Sequence, residues 1–61
     1  MEDFKRFALE RLEEARKNIE DLEKLIQLGK ETGMNISQYL VKLEGLKREY
    51  ERWRKALEKI G

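Results

Sequence analysis

The chain has 61 residues, fourteen Lys or Arg against thirteen Asp or Glu, a net charge of +1, and no Cys, His or Pro. This length bounds it to one small domain, and chains this short often need a disulfide, a metal or a partner subunit to complete a core. The missing Cys and His exclude disulfides and leave only carboxylates as metal ligands, a poor set for zinc, so a partner subunit is the remedy left. Charged residues are 44% of the sequence, the composition of long exposed helices or coiled coil.

The first helix is expected over about residues 3–32, with Asp3 as its cap and Glu2 against the positive end of the dipole. Its apolar residues recur at helical spacing. With Leu12, Ile19 and Ile26 at heptad position a, position d holds Ala8, Ala15, Leu22 and Gly29. Extending the pattern backwards puts Lys5 at a, where its stem can pack and its ammonium can reach water. Gly29 interrupts good helix-forming sequence at a cost of about 1 kcal/mol against Ala.

The stretch Gly33-Met34-Asn35-Ile36-Ser37-Gln38-Tyr39 reads as one helix ending and another beginning, with a turn at about 33–35. Gly33 suits the left-handed position past a helix end, and Met34 can fold back onto Leu28. Asn35 is the expected cap of the second helix. Gln38, three residues on, completes a capping box, and Met34 with Tyr39 is spaced as a hydrophobic staple. Asn35-Ile36-Ser37 also matches the N-glycosylation pattern, but the capping role accounts for Asn35. The phrase from Gly33 to Leu40 resembles the start of a helix in ribbon-helix-helix repressors, without the strand that precedes it there.

The second helix is expected over about residues 36–59, fraying at Gly61. Position a holds Ile36, Leu43, Tyr50 and Leu57, and position d holds Tyr39, Leu46, Trp53 and Ile60. Such a sustained repeat is a coiled-coil signal. Gly45 falls outside the seam.

A short turn makes the two helices antiparallel neighbours. Residue numbers that sum to 65 then pair every seam residue: Gly29 with Ile36, Ile26 with Tyr39, Leu22 with Leu43, Ile19 with Leu46. The series continues with Ala15 against Tyr50, Leu12 against Trp53, Ala8 against Leu57 and Lys5 against Ile60. Gly29, Ala15 and Ala8 each meet a large residue, which fills space without voids. The expected fold is therefore an all-α antiparallel helical hairpin, a two-helix coiled coil in a single 1–61 domain, dimerising into a four-helix bundle.

Phe4, Phe7, Leu9, Leu25, Leu28, Leu40, Val41 and Ala56 are not used by that seam. They gather near the termini and near the turn, and apolar clusters on so polar a chain mark an interaction surface. The first seven are the expected oligomer interface, since an antiparallel second copy would lay one cluster on the other. The expected partner is therefore the chain itself, as a homodimer, with another helical protein as an alternative. The single Ser, at a helix start, leaves no nucleophile–base pair, so no enzyme activity, cofactor or metal is expected.

The alternative partner is nucleic acid. Residues 33–61 carry seven basic and four acidic side chains, against seven and nine in residues 1–32. Arg48, Arg52, Lys55 and Lys59 form a stripe that could follow a phosphate backbone. In length and layout such a dimer is similar to the RNA-binding hairpins of the repressor-of-primer family, although no motif is shared. Against this, Glu44 with Arg48, Glu51 with Lys55 and Glu49 with Arg52 are spaced to neutralise the stripe locally. Trp53 and Tyr50 fall on the seam and read as core. A designed hairpin without natural function is a further alternative, although its internal glycines are untypical of idealised design. No apolar run approaches a membrane span and no leader pattern is present, so the expected location is cytoplasmic.

Overall fold

A computed structural model describes residues 2–60. Two helices fill it, α1 from Glu2 to Thr32 and α2 from Ser37 to Ile60. They pack against each other as an antiparallel hairpin with extents of 47 × 14 × 11 Å. Asp3 lies inside the first turn of α1 rather than capping it, because the helix has already begun at Glu2; there its carboxylate still faces the positive end of the dipole. The Glu2 side chain and Gly61 lie outside the described residues.

Gly33 takes φ 76°, the only positive value among the described residues. Met34 N–H donates to the Gly29 carbonyl at 2.9 Å, and Gly33 N–H donates to the Lys30 carbonyl at 3.4 Å. Those two bonds define the Schellman ending that a left-handed glycine permits. Thr32 Oγ1 donates to the carbonyls of Leu28 and Gly29 at 3.0 and 3.2 Å, satisfying further oxygens of the last turn. On the far side, Asn35 Oδ1 accepts from Ser37 N–H at 3.0 Å, two residues on rather than one turn on, and satisfies the first N–H of α2. The reciprocal Gln38 arm is missing among the described residues, leaving half of the capping box. Met34 and Leu28 both stay exposed, so the fold-back between them covers little.

The seam follows the heptads. Ala8, Leu22, Ile26 and Gly29 are buried, and Leu12, Ala15 and Ile19 are half-buried. Ile36, just before α2, and every a and d residue of α2 from Tyr39 to Leu57 are half-buried, and none is fully covered. Lys5 and Ile60, the outermost layer, are exposed, as expected of a fraying end. The register shows at the turn end of the hairpin. A Cβ built on Gly29 would stand 2.7 Å from Ile36 Cγ2, so glycine is what allows that layer to close. Near the termini the rings of Phe7 and Trp53 meet edge to face at 5.8 Å. Ala56, grouped above with the leftover residues, is half-buried beside the seam.

Candidate self-association surface

The hairpin has two long edges where the helices meet. Leu9, Arg16, Glu23 and Lys30 of α1 fall at heptad position e, beside Leu40, Lys47 and Arg54 of α2. An ion pair between Glu23 and Lys47 at 3.6 Å crosses this edge. Phe4, Arg11, Asn18 and Leu25 fall at position g on the other edge, beside Lys42, Glu49 and Ala56. Here a groove of about 210 Å³ opens between the helices, lined by Arg11, Glu14, Ala15, Asn18, Leu46, Glu49 and Trp53.

Arg11 was not among the residues expected from sequence to matter, yet its guanidinium lies 5.8 Å from the ring centroids of both Phe7 and Trp53. That is cation–π range. The arrangement follows from spacing: Phe7 and Arg11 are one helical turn apart, and the seam places Trp53 opposite Leu12. The i to i+4 aromatic–arginine spacing beside a seam tryptophan was the available signal. Trp53 and Tyr50 are half-buried, in keeping with their seam positions.

All seven residues expected to form an oligomer interface are exposed. Phe4 and Leu25 show 42% of their surface, Leu40 46%, Phe7 49%, Leu9 51%, Leu28 58% and Val41 73%. Met34 and Ile60 join them at 52% and 45%. The hairpin does not bring the seven into one patch. Phe4, Phe7, Leu25 and Leu28 share the groove side of α1, whereas Leu9 and Leu40 lie on the opposite edge and Val41 faces outward from α2.

On the outer face of α2, Arg48 pairs with Glu44 at 3.4 Å, as spaced. The other two expected pairs do not form. Glu51 turns to Arg54 at 3.4 Å instead of Lys55, and Glu49 does not reach Arg52. Among the described residues Arg52, Lys55 and Lys59 therefore have no carboxylate within 4 Å, and the stripe is less neutralised than its spacing predicted. A shallow outer depression is lined by Glu44, Lys47, Arg48, Glu51, Arg52 and Lys55.

The densest charge cluster lies on α1, where Arg16 is held by Glu13 and by Glu20, the latter at 3.1 Å. The hydrogen bond from Arg16, and then its charge, hold the Glu13 carboxyl below the usual carboxylate range. The same contacts raise Arg16. Among the described residues no group of three or more His, Cys, Asp or Glu could hold a metal ion. No described helix is long and apolar enough to cross a membrane. In comparisons with known proteins, no family model, curated protein or solved structure matches the chain.

Proposed function

We propose that this chain is a non-catalytic cytoplasmic interaction module that self-associates through helix packing, two hairpins forming a four-helix bundle. One observation carries the reading. Among the described residues the hairpin buries only the hydrophobic Ala8, Leu22 and Ile26, while nine large apolar side chains remain 42–73% exposed. Burial contributes about 25 cal/mol per Å² of apolar surface, so covering these side chains is the largest favourable term left to the molecule. A second copy supplies that cover with the least new sequence, and two-fold pairing is the commonest way soluble chains associate.

Sedimentation equilibrium from micromolar to millimolar concentration tests the proposal. A 15 kDa species in place of the 7.4 kDa chain, roughly a doubling of mass, is expected, with a melting temperature that rises with concentration. A folded monomer that melts cooperatively at every concentration would end this reading.

A second reading is favoured by one specific observation: among the described residues Arg52, Lys55 and Lys59 on the outer face of α2 have no carboxylate within 4 Å. A two-fold bundle would display two such stripes, suited to a phosphate backbone. Binding to a mixed RNA or DNA probe that weakens steeply with salt supports it, and no gel shift at low salt removes it.

A further inference from the structure

The groove side of α1 is complementary to its own reverse. Its exposed positions recur at alternating spacings of three and four, beginning with Phe4 and Phe7 and closing with Leu25 and Leu28. Between them lie Arg11 and Glu14, then Asn18 and Asp21. We propose that a second copy of this chain docks on this face, α1 against α1 and antiparallel, in the register where paired residue numbers sum to 32. The inference rests on the self-association reading and names the surface that carries it.

In this register Phe4 lies against Leu28, Phe7 against Leu25, Arg11 against Asp21 and Glu14 against Asn18, and each pairing occurs twice by symmetry. Both apolar ends find apolar partners. The cation meets a carboxylate, and the remaining carboxylate meets an amide that can donate to it. The competing arrangements lose these matches. Sliding by one heptad sets Phe7 against Asn18 in one direction and Leu25 against Glu14 in the other. Turning the second copy parallel sets Arg11 on Arg11 and Asp21 on Asp21, and like charges in contact select against a pairing. The corresponding stripe of α2 has the small Ala56 as its one apolar side chain and offers no such match.

Size and preorganisation agree with the choice. From Phe4 to Leu28 the stripe runs about 36 Å at 1.5 Å per residue, most of the 47 Å length of the hairpin. Phe7 is held by the Trp53 ring, and Arg11 by both rings, so these groups lose less freedom on docking than free side chains would. Docking here leaves the outer face of α2 open.

Charge reversal tests the register. R11D sets Asp against Asp21, and D21R sets Arg against Arg11, so each variant alone is expected to dimerise about tenfold more weakly than the parent chain in sedimentation equilibrium. An equal mixture of the two restores both pairs and is expected to return to parental affinity as a heterodimer. Asp21 makes no ion pair within the hairpin among the described residues, so D21R keeps its helicity by circular dichroism even where R11D, which removes the cation beside Phe7 and Trp53, loses some. Independently, E14C mixed with N18C is expected to give a disulfide-linked heterodimer on oxidation, with little linkage of either variant to itself. A parent dimer whose affinity D21R leaves unchanged, or E14C linking to itself in preference to N18C, overturns this surface while self-association stands. A parent chain that is monomeric throughout overturns both.

Discussion

The two helices share one seam but fare differently in it. Among the described residues α1 contributes every buried side chain or glycine and α2 contributes none, although α2 carries the larger side chains. Size accounts for part of the difference. The second helix covers Ala8 and Gly29 completely but only one side of Tyr50 and Trp53, whose other side faces water. Size is not the whole of it, since Leu22 is buried while Leu43 opposite is half-buried, and Ala15 is half-buried as well. A two-helix pair has no third element to cover the sides of its larger residues, so uncovered apolar surface remains beside the seam. That uncovered surface is what the proposed self-association would bury.

The comparison can be broken most severely at the buried side. Ile26→Ala removes a covered side chain and is expected to cost about 2–5 kcal/mol, enough to abolish the cooperative melt of so small a domain. The equivalent truncation of half-exposed Leu43 on α2 is expected to cost less, and equal losses in thermal unfolding would contradict the asymmetry. Next come the glycines. Gly29→Val forces a branched side chain against Ile36, an overpacking expected to cost about 1–3 kcal/mol beyond any gain in helix propensity. Ile36→Ala in the same chain should recover part of it, which a double-mutant cycle reads directly. Gly33→Ala is strained by its positive φ and is expected to cost about 1–2 kcal/mol. Gly45→Ala meets open space and should stabilise by about 1 kcal/mol, raising the melting temperature by roughly 4–8 °C.

The smallest effect is electrostatic. Glu13 has its folded pKa depressed by Arg16, so the pair's contribution is fully present above the ordinary glutamate value of 4.5 and is lost as pH falls through the lower folded value. Glu13→Gln is therefore expected to lower the melting temperature slightly at pH 7 and to flatten its decline in the acid range. Both groups are solvent-exposed, so 1 M salt should erase most of the difference.

Much of this architecture was legible in the residues. Gly33, Asn35 and the two heptad series predict the turn, the antiparallel pairing and the large-over-small layers, and Gly29 against Ile36 is where that logic is tightest. The misreadings came where several partners compete on a surface. Glu51 has Lys55 and Arg54 within one turn and takes Arg54, and Gln38 leaves the cap half-made. Exposed ion pairs differ by too little free energy for spacing to choose among them. Asp3 was misplaced because an exposed helix start gives no packing signal.

The sequence by itself determined the two helices, the place of their reversal and which faces meet, because period, glycine stereochemistry and side-chain volume act locally or through one repeated layer. Tertiary structure alone decided what lies beside the leftover apolar residues. Phe4, Phe7, Leu25 and Leu28 come onto one side with Arg11 clasped over two rings, and Leu9, Leu40 and Val41 go elsewhere. The period of α1 already places those four on one face. The clasp of Arg11 over Phe7 and Trp53, and which face of α2 lies beside them, depend on the position of one helix around the axis of the other, a relation no single stretch of chain contains.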